Sequence, residues 1–226
     1  MLKAKGIISP IQKKILQDIG KLKESEHFYL SGGTALAEFY FGHRRSYDLD
    51  IFTSEKELII PFSRLIESDF PPMGYIIKVV KRFESFVELT AGDQLENIVI
   101  HIGQESPFRF GNPVESEYGI KINAYDDIIT DKVLTYFGRW QYRDAVDLFF
   151  ILQRENLDKL INMACQKDPG FDLYWFSVSL TKAEKFPDDI KNWLVDMLID
   201  VDANQIKKSL NDLALTIIDR VRKKIT

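Results

Sequence analysis

Residues 31–52 read SGGTALAEFYFGHRRSYDLDIF. Two glycines lead into a short apolar run, and a basic turn then leads into Asp48-Leu49-Asp50. Gly32-Gly33 falls between a strand-like HFYLS (27–31) and a short helix from Thr34 to Phe41, which Gly42 closes as a C-terminal glycine. YDLDIF (47–52) alternates as a strand, with Leu49 and Ile51 on one side and Asp48 and Asp50 on the other. Carboxylates two apart on a strand leave the same face about 6.5–7 Å apart at the backbone. That span lets both converge on one or two Mg²⁺ ions, which take oxygen ligands from one or two carboxylates plus substrate phosphates. Alone, a D-x-D is also an ordinary pair of solvated acids on an edge strand.

The bare amides of Gly32 and Gly33 at a helix start form an anion-binding nest, to which Ser31 or Thr34 adds a hydroxyl. The plainer alternative is a tight turn with positive φ and Thr34 as N-cap. No Gly-Lys-Ser/Thr follows, so this is not a Walker loop. Arg44 and Ser46 precede the acids, where Arg44 either holds triphosphate charge or neutralises Asp48 and Asp50. His43 reads as a surface histidine. In combination the pieces are more specific than apart. Strand, Gly-Gly, short helix, basic turn and D-x-D strand form the local plan of nucleotidyltransferases. The chemistry expected is in-line attack of an acceptor oxygen on the α-phosphorus of an NTP, catalysed by positioning and charge stabilisation.

The rest of the chain frames that motif. With 226 residues, 45% of them hydrophobic, there is ample material for a core. A net charge of −4 excludes whole-surface electrostatic binding of nucleic acid and leaves only local basic patches. The single cysteine, Cys165, excludes an internal disulfide and a Cys-rich zinc site. The start lacks a signal-peptide core and no apolar run is long enough to span a bilayer, so a cytoplasmic protein with no membrane partner is expected. Ser9-Pro10 reads as a helix start. A helix from Ser54 to about Ser68 is expected to kink at Pro61. Strands follow at 75–80, 85–91 and 97–103, with a further short one at 118–122. Helices are expected at 126–137, 142–154, 171–186, 188–200 and 203–225. The fold class expected is α+β: a nucleotidyltransferase fold with a small mixed sheet flanked by helices, then a mostly helical C-terminal part. The expected division is an α/β core over 1–122 and a helical region over 123–226 packed on it.

GGTALAEFYFGHRRSYDLDIF resembles the G-G-x-x-L…H-R-x-S-x-D-x-D motif of the AbiEii/AbiGii abortive-infection toxin family of nucleotidyltransferases. Gly32, Gly33, Leu36, His43, Arg44, Ser46, Asp48 and Asp50 fall on it. A second stretch, DDIITDKVLTYFGRWQYRDAVDLFFI (126–151), looks like the family's later block through Lys132, Arg139, Arg143, Asp144, Asp147 and Leu148. The two blocks cover about a third of the chain. The resemblance implies nucleotide transfer from an NTP to an RNA, such as a tRNA end, or to a protein, with two Mg²⁺ ions and a cognate antitoxin. Lys132 would neutralise phosphate charge, and Asp144 or Asp147 would orient the Lys or the sugar. Arg143 is expected to pair with Asp147, and a salt-bridged helix surface is the plainer account of the block.

Nucleotidyltransferases usually present a third carboxylate from a neighbouring strand, here expected within NIVIHIG (97–103). Ile98, Ile100 and Ile102 form one face of that run, and the position of the acid is held by His101. The histidine is either a base or ligand in the site or a half-buried packing residue. Glu88 and Glu96 lie nearby in sequence, with neither expected to share the parity of the site. Two rivals follow: a degenerate NTP-binding member acting through a partner, and a D-x-D nucleotide-sugar glycosyltransferase.

Overall fold

The computed structural model describes residues 1–225, which divide into two compact units at Ile128/Ile129. The first unit opens with helix α1, Pro10–Gly20. The Ser9 Oγ accepts from the Gln12 amide while the Gln12 side chain accepts from the Ser9 amide, a complete capping box. The Gln12 side-chain amide also donates to the carbonyls of Ser46 and Tyr47, at 2.9 and 3.0 Å. One residue therefore starts the first helix and holds the basic turn ahead of the two acids.

Six strands form one mixed sheet: β1 Tyr29–Ser31, β2 Leu49–Thr53, β3 Ile76–Phe83, β4 Phe86–Gly92, β5 Asn97–Gln104 and β6 Lys121–Ile122. Their spatial order is β3-β4-β5-β2-β1-β6, with β2/β5 and β1/β6 parallel and the other pairs antiparallel. Alternation decides the faces. Leu30, Leu49, Ile51, Val87, Leu89, Ile100 and Ile102 are all fully buried on one side. Against the sheet packs helix α3, Ile59–Asp69, burying Ile59, Phe62 and Ile66, while α1 buries Ile15, Leu16 and Ile19. Phe62 stacks on Phe28 with ring centroids 3.9 Å apart. The opposite face, carrying Asp50, His101 and Glu88, is only half-buried. Helix α2, Gly32–Ala35, runs on as a π turn over Leu36–Phe41 and ends at Gly42, whose φ of 71° is the left-handed conformation expected of a closing glycine.

Four expectations change. Pro61 neither kinks nor interrupts a helix, because α3 begins at Ile59 and Pro61 sits in its first turn, where its missing N–H is not needed. The strand expected at 118–122 shortens to Lys121–Ile122, since Gly119, at φ 81°, turns the chain first. Helix α6, Leu157–Lys167, was not anticipated, although Asn156 caps it and Leu160, Met163 and Ala164 are buried at helical spacing. No helix spans 188–200: a 3-10 turn, Ile190–Trp193, stands there, with the buried Trp193 donating its ring N–H to the Pro187 carbonyl and Leu194 leaving at φ 53°.

The remaining helices are α4 Tyr125–Arg139, α5 Tyr142–Leu152, α7 Leu173–Thr181 and α8 Ala203–Ile225. In the second unit α8 packs on α7 and α5, burying Ile206, Leu210, Ala214 and Ile217, the stripe its spacing prescribes. No helix among the described residues is long and apolar enough to cross a membrane.

A buried polar tie in the first unit makes a pH prediction. Asp18 accepts from the Tyr75 hydroxyl at 2.6 Å and from Lys21 at 2.7 Å. Burial pushes its carboxyl up, but the bonds from Lys21 and Tyr75 outweigh that and hold it below the usual carboxylate range. A depressed carboxylate stabilises the fold above its unfolded value, near pH 3.9, and that stability fades as pH falls through the lower folded value. Asp18→Asn should thus lower the melting temperature at pH 7 and narrow its gap to wild type below about pH 4. A gap that stays constant down to pH 2 would show that Asp18 contributes by packing alone.

Candidate functional site

The sheet register brings together what the sequence separates. Ser31, Asp50, His101 and Glu88 lie side by side on four neighbouring strands, β1, β2, β5 and β4, and share the half-buried face. His101 Nδ1 is 2.9 Å from Asp50 Oδ1. The hydrogen bond with Asp50, supported by the charges of Asp50, Asp48 and Glu88, raises the affinity of the imidazole for a proton against the opposing effect of burial. His101 therefore faces the acids from the place where the sequence lacks its third carboxylate. Glu88 corrects an expectation: it does share the parity of the site, directly across from His101. Its oxygen meets Lys81 Nζ at 2.8 Å, and that bond holds its carboxyl below the usual range. The alternation of buried Val87, Leu89 and Ala91 was the signal that places Glu88 on the polar face.

The glycine pair is explained by contact rather than by freedom alone. Gly32 has φ 65°, and a Cβ there would lie 2.0 Å from Asp50 Oδ2. A Cβ on Gly33 would lie 2.7 Å from an Arg44 guanidinium nitrogen and 2.9 Å from Ser46 Oγ. Both residues must lack a side chain for Asp50, Arg44 and Ser46 to close on this turn. Thr34 is not the N-cap. That position belongs to Ser31, while the Thr34 hydroxyl donates to the Asp48 carbonyl and ties α2 to the start of β2. Arg44 is 3% exposed and donates to the Arg45 carbonyl, so its charge lies beneath the turn rather than out in solvent. His43, expected at the surface, is fully buried. Asp48 and Asp50 are both half-exposed.

Beside Ser31 stands a polar group that sequence reading missed. The buried Asn123 donates to Ser31 Oγ at 3.1 Å and accepts from Arg109 at 2.8 Å, and Arg109 covers the Tyr29 ring at 3.9 Å. Arg109 belongs to an irregular segment without periodicity, so only the fold could place it.

Lys132, Asp144, Asp147 and Arg139 belong to the second unit. Lys132 is buried and its ammonium is 2.7 Å from the fully buried Asp147 carboxylate. Asp144, also fully buried, takes two hydrogen bonds from Arg139, at 2.9 and 3.1 Å. The block therefore holds one buried ion pair, Lys132–Asp147, and one buried acid, Asp144, met by an exposed Arg139. Asp147 is bonded to Lys132, while Arg143 is exposed.

Among the described residues no three His, Cys, Asp or Glu side chains gather to hold a metal. Asp48 and Asp50 are two oxygen donors on one strand end, the number with which Mg²⁺ is commonly held when phosphates complete its shell. The donor set fits that ion.

Solved structures share the fold. A Helicobacter pylori chain proposed to be a nucleotidyltransferase superposes with a TM-score of 0.60 at 21% identity, over 94% of this chain and 93% of that one. MenT4, a nucleotidyltransferase toxin of Mycobacterium tuberculosis, gives 0.62 at 15% identity, over 92% and 82%. An uncharacterized protein of Aquifex aeolicus is 26% identical over 147 residues, 65% of this chain and 68% of its own length. The family model described as nucleotidyl transferase AbiEii toxin, type IV toxin–antitoxin system, matches residues 14–203, most of the length. The chain belongs to the AbiEii family of nucleotidyltransferase toxins.

Proposed function

We propose that this chain is a metal-dependent nucleotidyltransferase that moves a nucleotide from an NTP onto an RNA acceptor, releasing pyrophosphate. One observation carries the reading: Asp50, next but one to Asp48, bonds His101 across the sheet while pressing against Gly32. Asp48 and Asp50 would hold Mg²⁺, which supplies charge neutralisation on the triphosphate when bound. The Gly32-Gly33 turn fixes where phosphate oxygens can approach, and Arg44 beneath it adds a fixed positive charge. Because its Nδ1 faces Asp50, His101 leaves Nε2 to take a proton from the acceptor hydroxyl. Lys132, Asp144 and Asp147 shape and stiffen the second block as partners of one another and of Arg139.

RNA is favoured over protein as acceptor by two half-buried rings on the same face. Phe52 and Phe86 both lean over Gly103, two residues along β5 from His101, and offer a flat surface to a base. A cognate antitoxin is the partner expected of a type IV toxin–antitoxin family member, and NTP and RNA as substrates suit a cytoplasmic protein.

His101 provides the test. His101→Ala should slow labelled-NTP incorporation by about 10²–10³-fold through loss of the base, with little change in melting temperature. His101→Asp should retain more transfer than His101→Ala, because a carboxylate restores an acidic third group suited to Mg²⁺. Normal transfer in His101→Ala together with a lowered melting temperature in His101→Asp would make His101 a packing residue and remove it from the site.

A further inference from the structure

The second unit contains a cavity of about 440 Å³, within the range of small-ligand sites. Its walls are aromatic: Tyr142, Phe186 and Trp193 pack on one another with centroids 4.7 to 5.6 Å apart, and Trp140 stands at the edge. Its charged lining residues are Arg139, Arg143 and Lys185, with no acid among them. Arg139 is engaged by Asp144, and Lys185 makes no ion pair among the described residues. Arg143 and Lys185 therefore stand in the lining beside the Arg139–Asp144 pair. The cavity also meets the start of α5, whose N-cap Gln141 gives the first turn no side-chain hydrogen bond, so the positive end of that helix adds to the cations.

Two left-handed helix caps stand at the same place. Trp140 (φ 34°) and Leu194 (φ 53°) are the non-glycine residues with positive φ among the described residues, and both line this cavity. Glycine or asparagine would hold those turns at less cost. Instead the turns carry large apolar side chains, 41% and 93% exposed, at the rim. Both residues close a helical turn, Trp140 by donating its N–H to the Tyr136 carbonyl at the end of α4 and Leu194 as the cap after Ile190–Trp193, and in doing so they hold two large side chains at the mouth of the cavity.

We propose that this cavity is a nucleoside-phosphate site, with the base against Trp140 and the Tyr142–Phe186–Trp193 wall and the phosphate at Arg143, Lys185 and the α5 N-terminus. The accessible rings of Trp140 and Tyr142, backed by Phe186 and Trp193, suit a base better than an acidic peptide, and the cations supply the charge that the phosphate needs. The ligand is either a free nucleotide or the end of an RNA strand, which present the same chemistry. The proposal does not depend on the roles given to Asp48 and Asp50.

Tryptophan fluorescence reads it directly. In a Trp175→Phe background the remaining tryptophans, Trp140 and Trp193, both line the cavity. The full-length chain is titrated with nucleoside 5′-monophosphates, a short single-stranded RNA, inorganic phosphate and an acidic peptide. Saturable quenching by a mononucleotide or by RNA is expected, stronger than by phosphate, and the better of the two names the source. Lys185→Gln and Arg143→Gln should each weaken it on the order of tenfold, the effect of one lost charged hydrogen bond. An Asp48→Asn/Asp50→Asn variant should quench like its parent, which separates this cavity from the transfer site. Absence of quenching by both nucleotide and RNA, quenching indifferent to both charge variants, or equal quenching by the acidic peptide would overturn the proposal. Failure here leaves the transfer reading intact, because that reading is scored by incorporation.

Discussion

Asp50→Asn should abolish nucleotide incorporation, with a loss of at least about 10²–10³-fold, while the protein still folds. Asparagine keeps the volume that Gly32 was left open to receive, and it still offers an oxygen to His101. What disappears is the negative charge. Asp48→Asn should do the same, since the Asp48 backbone carbonyl, which anchors Thr34, is untouched by the change. Both variants should melt within about 0.5 kcal/mol of wild type, as substitutions at part-exposed positions do. Incorporation rate and melting temperature, measured on the same preparations, decide it. Unimpaired incorporation in either variant removes that acid from the site.

The second large effect is on stability. Lys132→Ala takes an ammonium from a fully buried carboxylate, and breaking such a pair on one side costs about 3–5 kcal/mol. Replacing both partners, Lys132→Met with Asp147→Leu, should recover most of that loss, because the cost lies in the charge left behind rather than in the lost attraction. Chemical denaturation of the two variants tests this. If Lys132→Ala unfolds like wild type but binds NTP far more weakly, the lysine serves the nucleotide instead of Asp147.

Much of the first unit could be read directly because alternation and punctuation were strong there. The Gly-Gly turn, the Asp48/Asp50 strand and the Ile98/Ile100/Ile102 face each follow from a period of two or a residue that only one conformation suits. The partners of those residues could not be read. That Gly32 faces Asp50, and that Glu88 stands across from His101, depends on strand register, which local sequence does not state when the pairing is between distant segments. Lys132 shows the limit from the other side. The spacing of its block suggests a salt-bridged helix surface, yet burial, which periodicity reports poorly for charged residues, takes Lys132, Asp144 and Asp147 inside and leaves Arg139 and Arg143 exposed. The segment 188–200 misled because its apolar residues recur at helical spacing while Pro187, the buried Trp193 and the left-handed Leu194 override them.

Position-specific labelling of the NTP distinguishes transfer of a nucleotide with release of pyrophosphate from every other fate of the triphosphate. The full-length protein is incubated with Mg²⁺, total RNA and each NTP carrying label either on the α- or on the γ-phosphorus. The α-label should become attached to RNA, the γ-label should appear only in pyrophosphate, and both signals should vanish in Asp50→Asn. Transfer of the γ-label to an acceptor, or no release of pyrophosphate with any NTP in the presence of RNA, would contradict nucleotide transfer.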